Sequence, residues 1–390
     1  MDVVAQLPFP QAPLQTAPRL RELRSLGTVH RVRTAMGDEA WLVTGHAQVR
    51  RLLDDDRLGR THPTPETAAR TGETLFDAVL GDFATEAADH ARTRALLQPH
   101  FSPRRMRPLR PRVEALTTRL LDELIAHGPP ADLHALVAVP LPILVICALL
   151  GVPYRDCERF RAWTADAADV GDPARSRRGL AELYGYGREL VARKRVEPGD
   201  DVISRLCAAE DVRDDEIAGL SMALLFAGQE TTVVQIGMGA LLLLSNPDQW
   251  RALVHDPGLV AGAVEEILRA SNTGGGGGIP RYARRDLEVD GVAIRAGDLV
   301  LLDNGSANHD PAAFPDPDRM DITRAASAHV TFGHGLRYCL GAPLARIELH
   351  AVFTRLAARL PTLRLAVEPD AVRMRPDAVT GGPAELPVRW

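Results

Sequence analysis

The chain has 390 residues, enough for one large domain or for two or three of average size. With 45% hydrophobic and 25% charged residues it has the composition of a soluble globular protein, which excludes a disordered or fibrous chain. A formal net charge of -5 leaves no basic excess, so a general nucleic-acid binder is excluded too. The four cysteines, Cys147, Cys157, Cys207 and Cys339, form no CxxC pair and no disulfide framework, which favours a reducing compartment. The N-terminal "MDVVAQLPFPQAPLQTAPRL" lacks the basic-then-apolar layout of a signal peptide or membrane anchor, so a cytoplasmic protein is expected.

The first pattern is a hairpin, "VHRVRT" and "AWLVTG" around Met36-Gly37-Asp38-Glu39. A short amphipathic helix follows over 46–56, then a long polar loop from Gly59 to Phe83, a length that in a compact protein is often functional. From Ala88 the text is helical through "HARTRALLQPHF", "RPRVEALTTRLLDELIAHG" and "VPLPILVICALLGVP". Two further helices are expected over 155–196, separated by the polar "VGDPARSRR". The longest helix starts at Val212-Arg213-Asp214-Asp215, where acidic residues favour a helix N-terminus, and ends at Asn246-Pro247. Its apolar run is long enough to span a bilayer, but Gln229, Glu230, Thr231 and Thr232 interrupt it at the middle, which suits a buried core helix better. The helix "PGLVAGAVEEILRAS" then runs into five glycines, Gly274 to Gly278. Short strands follow, "LEV" and "VAI" across Asp290-Gly291, then "LVLLD". A Pro- and Asp-rich stretch, a glycine-rich loop over 333–341, one more helix and terminal strands close the chain. No internal repeat or domain boundary is visible, and a single domain over 1–390 is expected.

The loop "TFGHGLRYCLGAPLARIEL" concentrates the chemistry. Cys339 stands just before a helix starting near Ala342, where backbone N–H groups favour an anionic sulfur. Gly333, Gly335 and Gly341 permit φ > 0 and close approach of the backbone to a flat ligand. On the residues alone three other readings stand beside this one: an inert buried thiol, a zinc ligand with His334 but without further organised partners, and a nucleophile with His334 as base.

Phe332-Gly333-x-Gly335-x-Arg337-x-Cys339-x-Gly341 resembles the haem loop of the cytochrome P450 monooxygenases at every defining position. The resemblance implies that Cys339 is the axial thiolate on haem iron, with Phe332 near the sulfur and Arg337 paired with a haem propionate. "AGQETT", at the centre of the longest helix, is similar to the family's oxygen-site motif. It implies Ala227 beside the haem, Gly228 at the gap that admits dioxygen, and Glu230 with Thr231 in proton delivery. Read without the family, the same stretch is a helix satisfying its own polar groups by back-bonding. Glu266-Ile267-Leu268-Arg269 matches the family's ion pair, and "FPDPDRMD" supplies Arg319 as the arginine that locks it. "DHARTRALLQPHF" and "PRYA" give His90, Arg94 and Arg281 as further propionate partners, a chemistry that burying two carboxylates requires.

The resemblance covers nearly the whole chain and implies a mainly α fold with small β-sheets, haem lying between the long central helix and the cysteine-loop helix. It implies haem b, dioxygen as co-substrate, and NAD(P)H electrons arriving through ferredoxin and a ferredoxin reductase to a monomer. The implied reaction is hydroxylation or epoxidation of a bulky, polyketide- or macrolide-like natural product. Oxidative coupling or ring formation is the alternative, and a non-catalytic haem protein that binds a ligand is a further one. The glycine run, Gly274, Gly275, Gly276, Gly277 and Gly278 with Ile279, falls where the family lines the substrate side, so it is expected to widen the pocket for a large substrate.

Overall fold

The computed structural model describes residues 4–10, 13–73, 77, 81–169, 171–271, 277–325, 328–375 and 381–390. The chain gathers into two compact units, Met1–Ala95 with Ala261–Cys339, and Leu96–Val260 with Leu340–Trp390.

The first unit is built on a six-stranded sheet in the order Ala5–Gln6, Val29–Arg33, Glu39–Val43, Leu299–Leu302, Ile279–Ala283, Leu58–Gly59. The hairpin read from sequence supplies its second and third strands, paired from Val29–Val43 to Arg33–Glu39. Leu299–Leu302 is buried at all four positions, because a strand covered on both faces needs apolar side chains throughout. Val300 and Leu302 share a core cluster with Val49, Leu52 and Leu53 of the helix His46–Leu53. Leu299 and Leu301 point the other way, into a cluster with Leu20 and Leu23 of the helix Pro18–Leu26. The unit thus closes only when N-terminal strands pair with strands from beyond residue 278.

The second unit is organised around the helix Asp214–Ser245, whose first turn carries Asp214, Asp215 and Glu216. It packs against the helices Pro173–Val196, Pro140–Leu150 and Ala342–Arg359. Among the described residues it is the one helix long and apolar enough to cross a bilayer. Its unbroken buried run from Ile236 to Leu244 makes it a core helix instead. The terminal strands Arg364–Leu365 and Pro387–Arg389 pair antiparallel with each other, and the second also pairs with Ala131–Asp132. One boundary differs from the sequence reading. "PARSRR" belongs to the helix Pro173–Val196, because Asp172 caps it by accepting from the Ala174 and Arg175 N–H groups, with Pro173 at the first helical position.

Gly277 and Gly278, the described part of the glycine run, lie inside the first unit, so they do not link the two. Gly274, Gly275 and Gly276 lie outside the described residues. Gly278 has φ of 65°, and a Cβ there would stand 2.8 Å from the Leu302 backbone. Its lack of a side chain lets Ile279 pair with Leu302 at the start of the strand. Left-handed backbone costs an L-residue roughly 1–2 kcal/mol before any clash is counted. Gly278→Ala is therefore expected to lower stability by about 2 kcal/mol or more in urea unfolding. An unchanged midpoint would show that the close approach to Leu302 is not a constraint.

Candidate active site

The cysteine loop is a tight turn with its own hydrogen bonds. Gly333 N–H donates to the Val330 carbonyl (2.9 Å), Tyr338 N–H to Gly335 (3.0 Å), and Cys339 N–H to Phe332 (2.8 Å). Gly333 and Gly335 have φ of 74° and 64°, and a Cβ on Gly335 would run into the Asp54 carboxylate. Asp54 uses that space to accept the Leu336 N–H at 3.0 Å. Gly341, by contrast, has φ of -77° at the start of the helix Ala342–Arg359, so conformation does not demand glycine there. Cys339 is the exposed cysteine of the four and is in no disulfide; the other three are buried. The Phe332 ring packs near Tyr338, with centroids 6.2 Å apart.

Beside this loop, in the same unit, the chain collects cations. The helix Glu86–Leu97 brings His90 and Arg94, the strand Ile279–Ala283 brings Arg281, and the loop brings Arg337. Arg60 joins them, unpredicted by the sequence reading. Desolvation, with Arg337 and Arg60 nearby, pushes Arg281 down to about 9. Desolvation and Arg337 likewise lower Arg60, and desolvation, Arg337 and Arg94 lower His90. Among the described residues the carboxylate that opposes these shifts is Glu86. Arg94 donates to the Tyr338 carbonyl, and Arg337 forms an ion pair with Glu86.

Desolvated arginines sharing one carboxylate are short of negative charge, and a ligand bearing two carboxylates would relieve that shortage. The exposed thiol of Cys339 is the soft donor that haem iron accepts. The residues present therefore fit haem.

In the second unit the middle of the long helix carries the polar motif. Thr231 and Ala227 are exposed, while Gln229, Glu230 and Thr232 are buried. The Thr231 hydroxyl donates to the Ala227 carbonyl at 2.9 Å, the back-bond that the motif allows without any ligand. Glu230 accepts from Arg375 Nη2 at 2.8 Å, and Arg375 also donates to the Gly381 carbonyl. Burial, with Arg375 nearby, lowers His134 to about 4, so this histidine is neutral near pH 7. Gly228 faces Ile146 of the helix Pro140–Leu150, and a Cβ there would come within 2.8 Å of its Cδ1.

The ion pair of the helix Val260–Ala270 is wholly buried. Arg269 grips both Glu266 oxygens, at 2.7 and 2.8 Å, and both side chains are essentially inaccessible. The arginine that joins them is Arg324, whose Nε lies 3.2 Å from Glu266 Oε2. Arg319 does not. Its side chain is 65% exposed and pairs with Asp321, while its carbonyl accepts from Arg324. The turn carrying Arg319 points that side chain outward, and the chain must run five residues further before an arginine can turn back to Glu266.

Arg269 also donates to the Asn308 carbonyl at 2.9 Å. Asn308 in turn donates from its side chain to Thr331 Oγ1 (2.8 Å) and accepts the Val330 N–H (2.8 Å). Thr331 Oγ1 donates to the Leu268 carbonyl at 2.6 Å. The buried ion pair is thereby tied to the residues that open the cysteine loop. Near the glycine run, a Cβ on Gly277 would lie 3.7 Å from the Glu73 carboxyl. Burial, with Asp77 adding to it, raises Glu73 to about 7. Ile279 is half-buried and packs against the sheet's core cluster.

Known proteins with related sequences decide the family. The profile described as Cytochrome P450 matches residues 258–370. Pentalenolactone synthase of Streptomyces exfoliatus is 46% identical over 399 residues, covering 100% of both chains. The chain belongs to the cytochrome P450 family. Mycinamicin IV hydroxylase/epoxidase of Micromonospora griseorubida is 40% identical to this P450, over 97% of this chain and 96% of its own length. The solved structure of a substrate-free P450, a polyene macrolide antibiotic pimaricin epoxidase, is similar with a TM-score of 0.90 at 43% identity, covering 99% of each chain. Membership makes this P450 a monooxygenase of mainly helical fold with small sheets, and carries haem and oxygen-dependent chemistry with it.

Sequence reasoning missed Arg60, Glu86, Asn308, Arg324 and Arg375. Each acts through a partner remote in sequence, and the only local signal was the surplus of Arg and Asp in the stretch ending at Arg324. Removing one partner of a buried ion pair costs about 3–5 kcal/mol, whereas exposed substitutions stay within about 0.5 kcal/mol. Arg324→Ala is expected to lower the denaturation midpoint of this P450 strongly and Arg319→Ala hardly at all. Equal losses would return Arg319 to the ion-pair network.

Proposed function

We propose that this P450 hydroxylates or epoxidises a bulky, macrolide-like natural product in the cytoplasm, as one monomeric domain. Haem b would be its cofactor, and its electrons would come from a ferredoxin and an NAD(P)H-dependent ferredoxin reductase. The observation that carries the chemistry is the exposed Cys339 thiol beside a cation cluster short of negative charge. The substrate class is supported by the mycinamicin and pimaricin named for two relatives, and by the side-chain-free run at Gly274–Gly278.

When bound, haem would supply the activation of dioxygen, by which one oxygen atom would enter the substrate and the other would leave as water. The protein's part is binding, orientation and proton supply. Cys339 Sγ would hold the iron, and Arg281, Arg337, Arg94 and His90 would hold the carboxylates and fix the ligand's rotation. Thr231 is an exposed residue whose hydroxyl, among the described residues, donates to a helix carbonyl of its own turn, so it can turn to donate its proton elsewhere. Glu230, one residue earlier, would resupply that proton, and Arg375 fixes its carboxylate meanwhile. The close approach of Ile146 assigns Gly228 to helix packing, so the dioxygen gap expected at this residue is not part of the proposal.

The test is the optical spectrum of the reduced, CO-bound protein. The red-shifted Soret band of thiolate-bound haem is expected in wild type and absent in Cys339→Ala. Thr231→Ala should keep that band but lose most product in a ferredoxin-supported assay, with oxygen consumption diverted to peroxide. A colourless wild-type protein, or a Cys339→Ala variant with an unchanged band, would overturn the proposal.

A further inference from the structure

Glu86 is a buried carboxylate that the proposed chemistry does not use. It sits in the first turn of the helix Glu86–Leu97 and is 8% exposed. Burial alone would raise its pKa, yet its partners hold it below the usual carboxylate range. Those partners come from three other segments. Thr61 donates from Oγ1 at 2.6 Å and from its backbone N–H at 3.1 Å, and the Arg60 N–H donates at 2.9 Å. Arg284 reaches it from beyond the strand Ile279–Ala283, at 3.2 Å. Arg337, two residues before Cys339, pairs with its other oxygen. The other titratable groups around it are the Arg60 and Arg281 guanidiniums and, on its own helix, His90, which burial and the neighbouring arginines hold toward its neutral form.

The same helix holds the cysteine loop at a second point, because Arg94 donates to the Tyr338 carbonyl. Residues 337 and 338, which lead into Cys339, are therefore both gripped from one helix, by side chains eight positions apart. Arg337 has five N–H donors, so pairing one nitrogen with Glu86 leaves others for a ligand carboxylate.

We propose that Glu86 is a positioning residue for the haem site: it holds Arg337 in place beside Cys339 and fixes how much uncompensated positive charge that arginine presents to the bound group. The proposal rests on the haem-thiolate reading. Reduction adds an electron to the bound group, so freeing Arg337 from its counter-ion favours the reduced form. Glu86 acts through Arg337 and is not itself a ligand.

The test is the haem midpoint potential of holoprotein carrying Glu86→Gln, Glu86→Asp, Arg337→Gln, and the double variant Glu86→Gln/Arg337→Gln. Glu86→Gln keeps the shape and removes the charge. It should shift the reduction equilibrium toward the ferrous form by about tenfold, which for one electron is about 59 mV. Glu86→Asp, which keeps the charge, should restore most of the wild-type value. In the Arg337→Gln background the Glu86→Gln shift should shrink to a fraction of its size, the signature of direct coupling. An unchanged potential in Glu86→Gln, or the same shift with and without Arg337, would overturn the proposal. If Glu86→Gln does not retain haem, the potential is read on Thr61→Val, which removes the 2.6 Å hydrogen bond without touching a charge. A smaller positive shift is then expected, and none would overturn the proposal. Wild-type protein without the thiolate-type CO spectrum would instead be a failure of the haem-thiolate reading.

Discussion

The pair between Glu266 and Arg269 is the interaction on which the order of the site depends. Two charges taken wholly out of water cost several kcal/mol each, and only excellent geometry recovers it. Here the geometry is bidentate, and the remaining donors and acceptors are occupied: Arg269 by the carbonyls of Asn308 and Pro317, Glu266 by Arg324 and the Asp321 N–H. No part of this network can move without stranding a buried charge. Since Asn308 and Thr331 carry it forward to Val330 and the cysteine loop, the stiffness of the ion pair becomes the stiffness of the turn before Cys339.

That stiffness matters because the other half of the first unit is electrostatically unfinished. Arg281 and Arg60 lie desolvated beside Arg337, burial and the neighbouring arginines hold His90 toward its neutral form, and Glu86 answers only part of the charge. A protein can keep such a cluster only on a scaffold that does not relax around it. The six-stranded sheet supplies one wall through Arg281 and the hydrogen-bonded cysteine loop another through Arg337. What looks like a destabilising surplus of cations is, on this account, binding energy held in place for carboxylates that a ligand brings.

The sequence revealed those parts of the site whose chemistry is local. The cysteine loop was legible because Gly333 and Gly335 are demanded by positive φ within a few residues, and the central strand because "LVLL" has one reading when both faces are covered. Glu266 and Arg269 were legible as neighbours on one helical face, three residues apart. Their third partner was not: the sequence pointed to Arg319, and only the fold of the turn shows that the Arg324 guanidinium is the one that points inward. Glu86 and Arg60 were invisible for a similar reason, since a carboxylate in the first turn of a helix reads as ordinary dipole complementation. Its contact with Arg337 spans 251 positions. The glycine run shows the opposite risk. Gly278 reads as space for a substrate, but the Leu302 backbone requires it to be glycine.

The most direct test is a crystal structure of the protein purified with haem. The account predicts Cys339 Sγ on the iron, the haem carboxylates among Arg281, Arg337, Arg94 and His90, and the Glu266–Arg269–Arg324 network unchanged. Iron held by His334 or any other side chain, or carboxylates turned away from the arginine cluster, would contradict it.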